Sequence, residues 1–162
     1  MLTSSKHNCK SILFVCMANI CRSPALAATL NHLAVKKKIA DLKVDSCGIG
    51  WFHVGEHPDP RMFEAAKKRG ILMDHRAQQF QEKFFDAFDL ILTVDPMISE
   101  QVKLQAKTKE QAEKVHLVTE FSDHFKGQSI PDPYYMSDAG FDQMMDMIID
   151  CCQGILKKVL NC

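Results

Sequence analysis

The chain reads as an α/β protein: a three-layer α/β/α fold around a four-stranded parallel sheet. Three observations predict this. Short apolar runs alternate with longer amphipathic stretches along the chain. One run, Asp89 to Val94, is nearly continuous in apolar residues, as in a strand covered on both faces. The first run, Ile12 to Val15, passes through a short loop directly into a helix start at Ser23-Pro24.

Each element has its own local reason. Residues 1–9 read as a loose leader and Lys10 to Cys16 as the first strand. Pro24 to Lys37 is a helix with Ala25, Leu26, Ala28, Leu30, Leu33 and Ala34 on its apolar face, and Ser23 is its expected N-cap. Its basic end, Lys36-Lys37-Lys38, suits the negative pole of the dipole. Val44 to Cys47 is a second strand, followed by a glycine-rich loop. Asp59-Pro60 opens a helix that runs to Arg69 and stops at Gly70. A turn around Asp74-His75 and a helical piece near 81–85 come next. Asp89 to Val94 is the third strand, and Asp95-Pro96 opens a helix to Ala106. Lys109 to Lys114 reads as a solvated face, and Lys114 to Val118 as the fourth strand. A long loop covers 119–137. Asp138 is the expected cap of a last helix to Leu160, with Phe141, Met144, Met145, Ile148, Ile149, Cys152 and Leu156 inward. No internal repeat or linker divides the chain, so one domain over residues 1–162 is expected.

The 20 basic and 20 acidic residues cancel. That balance argues against a nucleic-acid binder working by bulk electrostatics. No apolar run approaches the ~18 residues of a membrane span. The N-terminus lacks the apolar core of a signal peptide. The seven cysteines are irregularly spaced, with Cys151 and Cys152 adjacent. Reduced thiols in a cytosolic protein are the better reading.

The informative stretch is Cys16-Met17-Ala18-Asn19-Ile20-Cys21-Arg22-Ser23. A loop between a buried strand and a helix turns its free N–H groups inward, at the positive end of the helix dipole, and so makes an anion site. A thiol there ionises easily. A phosphate there is held by the amides and by a two-pronged contact from Arg22. Lacking Gly-Lys-Ser/Thr, the loop is not of the ATP-binding kind. Pro131-Asp132-Pro133 reads two ways, as a loop shaped by its prolines or as the carrier of an acid.

The stretch from Val15 to Pro24 resembles the signature of the low molecular weight protein tyrosine phosphatases: Cys, five residues, Arg, Ser. Trp51-Phe52-His53-Val54-Gly55 with Pro58-Asp59-Pro60-Arg61 resembles that family's second loop. His75-Arg76-Ala77-Gln78-Gln79 resembles its histidine segment, and Asp132-Pro133-Tyr134-Tyr135 the late loop carrying its acid. The resemblance implies Cys16 as nucleophile and Asp132 as general acid and then base. Arg22 and the backbone of Met17, Ala18, Asn19, Ile20, Cys21 and Ser23 would hold the phosphate. It implies a Ser23 hydroxyl aimed at the sulfur, cleft walls from Phe52, Tyr134 and Tyr135, and a supporting shell of Asn19, Ser46 and His75. The expected substrate is a phosphotyrosine protein or a small aryl phosphate. No metal or cofactor is expected, nor any nucleic-acid or membrane partner. A cytoplasmic monomer or weak homodimer is expected, with non-classical export left open. Cys21 is either a passive small residue or a redox partner that captures an oxidised Cys16.

Two positions depart from the family pattern. Ala18 stands where Gly is usual, which matters only if that residue needs a positive φ. Gln78 replaces an arginine. Three alternatives weigh less. Arsenate reduction on this fold needs mid-chain cysteines, and residues 48–150 contain none. Arginine phosphatases of the fold tend to carry Thr where Ile20 stands. A phosphate-binding module without catalysis has no need of Cys16, Arg22 and Asp132 together.

Overall fold

The computed structural model describes residues 9–133 and 136–161. Strands β1 (Ser11–Cys16), β2 (Lys43–Gly48), β3 (Leu90–Thr93) and β4 (Val115–Leu117) form one parallel sheet in the order β2-β1-β3-β4. β1 and β3 are central and buried at every residue; β2 and β4 are edges and only partly buried. The helices are α1 (Arg22–Lys36), α2 (Pro60–Lys67), α3 (Phe84–Ala87), α4 (Pro96–Leu104), α5 (Lys109–Glu113) and α6 (Asp138–Lys158). From β1 the chain crosses to β2 on one side, and from β3 to β4 on the other. Right-handed crossovers in opposite directions put α1 and α4 on opposite faces. The crevice at such a reversal lies at the C-terminal strand ends, where Cys16 and Asp95 stand.

Three helices start as elementary capping predicts. The side chains of Asp59, Asp95 and Thr108 each accept a backbone N–H of the first turn, and Pro60 and Pro96 occupy first helical positions. Two expected caps are corrected. α1 begins at Arg22 after Cys21, so Ser23 lies inside the first turn, and its hydroxyl serves the loop instead. α6 is preceded by Ser137, and Asp138 is its first residue, an acid at the positive end of the dipole. The stretch 71–79 runs without a regular turn at Asp74-His75, and the short helix after it falls at 84–87. Nor is Lys109 to Lys114 merely a solvated face: it holds α5, and the Lys114 ammonium caps α3 through the Phe85 and Phe88 carbonyls at 2.6 and 3.2 Å. The long loop also contains a 3₁₀ turn, Val118–Phe121.

α6 packs against α1, α2 and that turn. Its inner face holds the expected residues together with Met147, Cys151, Gly154 and Ile155, while Ile149 is only half-buried. At Gly154 the turn comes so close that a Cβ would lie 1.6 Å from the Phe121 carbonyl oxygen. One turn earlier, Asp150 accepts the Ser122 hydroxyl, the backbone N–H groups of Asp123 and His124, and the His124 ring. Burial pushes the Asp150 carboxyl up, but those hydrogen bonds outweigh it and hold it down at about 2. The Gly154→Ala variant should lose about 3 kcal/mol in urea denaturation despite alanine's better helix propensity. An unchanged midpoint would mean that the turn can move away at no cost.

Candidate active site

The site begins at the end of β1. Ile49 donates its N–H to the Cys16 carbonyl at 3.0 Å and Gly50 to the Met17 carbonyl at 2.8 Å, so the chain leaving β2 is laced to the loop. Gly48 is required at that contact, since a Cβ there would lie 2.6 Å from the Met17 oxygen. From the other side Asp59, the cap of α2, donates its N–H to the Ile20 carbonyl at 2.9 Å.

Asn19 organises the loop. It is fully buried and sits in the left-handed region at φ 59°, which asparagine tolerates better than most residues. Its amide nitrogen donates to Ser23 Oγ at 2.8 Å and Ser46 Oγ at 2.9 Å. Its amide oxygen accepts the Gln78 N–H at 2.9 Å and His75 Nε2 at 2.8 Å. All four hydrogen-bonding positions of the amide are used. The oxygen can only accept, so His75 carries its proton on Nε2. Burial of the ring pushes His75 below the ordinary histidine value, against the pull of the Asn19 carbonyl and Asp45. Ala18 has no positive φ, so alanine is unstrained there. Gln78 works as a neutral bridge: its side-chain amide donates to Asp45 Oδ2 at 3.1 Å and to the Ser46 carbonyl at 2.9 Å.

The Cys16 sulfur accepts the Asn19 N–H at 3.2 Å and lies 2.8 Å from Ser23 Oγ. Ser23 has one proton and two places for it, the sulfur and the Cys47 carbonyl at 3.3 Å. With a thiolate the hydroxyl donates to sulfur; with a thiol it accepts from sulfur and donates to Cys47. Arg22 is buried, and its Nη1 donates to Asp95 Oδ2 and to the Ile130 carbonyl, both at 3.1 Å. Asp95 thus caps α4 with one oxygen and holds Arg22 with the other. The sequence marked Asp95 only as a helix opener; nothing local reveals a partner 73 positions away.

Asp132 is 63 % exposed and its Oδ2 is 3.9 Å from Arg22 Nη2, so the late loop is brought to the start of α1. An arrangement of Cys16, Ser23, Asn19, Arg22 and Asp132 at one strand end is what comparison can then identify. The family model described as low molecular weight phosphotyrosine protein phosphatase matches residues 11–161. The chain belongs to that family. A low molecular weight phosphotyrosine protein phosphatase of Sus scrofa is 34% identical over 152 residues, covering 93% of this chain and 96% of its own. A protein tyrosine phosphatase from Entamoeba histolytica superposes with a TM-score of 0.89 at 28% identity, covering 93% and 97%. A Drosophila arginine phosphatase gives 0.84 at 30% identity, covering 90% and 95%.

The remaining candidate residues of this family member fall as follows. Phe52 is 69 % exposed and stacks on Trp51, ring centroids 4.5 Å apart. A Cβ on Gly50 would touch Phe52 Cδ2 at 3.5 Å and Met17 Sδ at 3.6 Å, so Phe52 stands beside the phosphate loop. Tyr134 and Tyr135 lie outside the described residues. Cys21 is half-buried, and burial pushes its thiol up, with Asp59 and Cys16 adding to the effect. Among the described residues, no helix is long and apolar enough to cross a membrane.

Two variants of Asn19 separate its roles. Asn19→Gly keeps the backbone angle but loses the four bonds, at about 3 kcal/mol. Asn19→Ala adds left-handed strain and should fall a further ~1 kcal/mol in chemical denaturation. Equal stabilities would show that the angle is unimportant. For His75 the folded value lies below the unfolded one, so the folded protein takes up that proton less readily. Its stability should hold above the ordinary value of about 6.5 and decline as pH falls through it. Urea midpoints between about pH 7 and 5.5 should slope more steeply for the native chain than for His75→Gln.

Proposed function

We propose that the chain hydrolyses aryl phosphate monoesters, phosphotyrosine in proteins above all, through a phosphocysteine on Cys16. One observation carries this reading: a sulfur at the end of the central strand, with the Asn19 N–H and the Ser23 hydroxyl directed at it and Arg22 on the same loop. Cys16 is 2 % exposed, so the sulfur is set back from the surface. A long flat side chain such as phosphotyrosine delivers its phosphorus to that depth.

In the first step the Cys16 thiolate attacks phosphorus and the bond to the phenolic oxygen breaks. Asp132 gives its proton to that oxygen, and the phenol leaves. Charge on the three equatorial oxygens is held by Arg22 and by loop N–H groups already fixed in place. In the second step the Asp132 carboxylate takes a proton from water as the water attacks phosphorus. The sulfur–phosphorus bond breaks, with the Ser23 hydroxyl donating to the departing thiolate, and inorganic phosphate is released.

On this reading residues 1–162 act as one phosphatase domain, as a monomer or weak homodimer. A thiolate nucleophile suits a reducing compartment such as the cytoplasm. The Drosophila relative makes phosphoarginine the substrate to compare; the apolar Ile20 favours the aromatic ester.

The Cys16→Ser variant should lose p-nitrophenyl phosphate turnover by about 10⁴-fold or more. Turnover retained by that variant rules out the covalent step. Asp132→Asn should slow hydrolysis by about 10²-fold or more for poor leaving groups and less for good ones. Uniform slowing along a leaving-group series removes Asp132 as the acid. Peptides carrying phosphotyrosine or phosphoarginine, assayed side by side, decide the substrate class.

A further inference from the structure

A second hollow opens off the phosphate loop, between the start of α4 and the loop that carries Asp132. It is open to solvent and has a volume of about 370 Å³, within the range of sites that take small ligands. Its walls are Met17, Pro96, Met97 and Pro131, and its inner end is Arg22 with Ile130. The inner end is rigid. Ile130 is fully buried, its N–H bonded to the Val94 carbonyl at 2.9 Å and its carbonyl to Arg22 at 3.1 Å. The outer wall is different: Met97 is 55 % exposed, a large apolar side chain at the surface. Met17 faces Gly50 as Phe52 does: a Cβ built there would touch the side chains of both. The catalytic machinery already described leaves Met97, Pro96 and Pro131 without a role.

We infer that this hollow is a subsite for an apolar side chain next to the phosphotyrosine of a peptide substrate. The inference rests on the proposed phosphatase activity. The hollow adjoins the phosphate loop through Met17 and Arg22 and the late loop through Asp132. A residue adjacent to a phosphotyrosine seated over Cys16 therefore reaches the hollow directly. Arg22, held at Nη1 by Asp95 and the Ile130 carbonyl, serves the phosphate on the proposed reading, so what the hollow itself offers a neighbouring side chain is set by its walls. Two methionines and two prolines offer apolar contact, and methionine adapts its shape to leucine, methionine or phenylalanine alike.

The test uses phosphotyrosyl peptides with Leu or Glu at the position before or after the phosphotyrosine, and p-nitrophenyl phosphate alongside. Each peptide's kcat/KM is divided by that for p-nitrophenyl phosphate. The native chain should prefer Leu over Glu by about 10-fold at one of the two positions. Met97→Glu should abolish that preference and Met97→Leu should keep it. No preference at either position, or a preference that survives Met97→Glu, overturns the subsite. If the native chain fails on p-nitrophenyl phosphate as well, the phosphatase reading itself fails, so the two failures are separable.

Discussion

A single buried amide sets the shape of the phosphate loop. Asn19 turns the chain through a left-handed angle and then fixes that angle with four hydrogen bonds to Ser23, Ser46, His75 and the Gln78 backbone. Those partners come from α1, β2 and the 75–78 segment, so three separate parts of the chain must be in place before the loop is. A left-handed residue without such support would relax, and its N–H would no longer meet the Cys16 sulfur. The geometry at sulfur is thus a property of the sheet edge and the histidine segment as much as of the loop.

The opposite wall of the site is organised by Asp95 in the same economical way. One oxygen starts α4 and the other holds Arg22, so the position of the guanidinium is tied to the helix that follows β3. Ile130 completes this wall by bonding through its N–H to Val94, just past the end of β3, and through its carbonyl to Arg22. The loop that carries Asp132 is therefore anchored two residues before it. Farther along the chain, Asp150 of α6 gathers residues 122–124, and Gly154 lets the 3₁₀ turn settle against that helix.

Much of this was legible because burial and backbone chemistry leave local traces. β1 and β3 are apolar runs since they are covered on both faces. Asp59-Pro60 and Asp95-Pro96 announce helices since cap and first-turn proline act within a few residues. The strand, loop and helix around Cys16 and Arg22 are contiguous, so that arrangement could be read directly. What escaped was whatever depended on distant partners. Ser23 looked like a cap because its preference for that role is local, whereas the pull of Cys16 and Asn19 on its hydroxyl is tertiary. Asp95 to Arg22, Gln78 to Asp45 and Lys114 to the end of α3 join residues 26 to 73 positions apart and leave no pattern in the chain. Gly48 escaped for another reason: its need is set by how closely two backbones pass, which composition does not record.

The protein partners of Arg22 bear on turnover. A buried guanidinium whose only counter-charge was the bound anion would hold that anion tightly, because releasing it would strand a cation away from water at a cost of several kcal/mol. Here Asp95 and a main-chain carbonyl hold Arg22 with nothing bound in the loop. On the proposed mechanism, departure of inorganic phosphate would then not leave the charge alone. The same carboxylate that looks like a competitor for the guanidinium would keep the last step of the proposed cycle from becoming a trap.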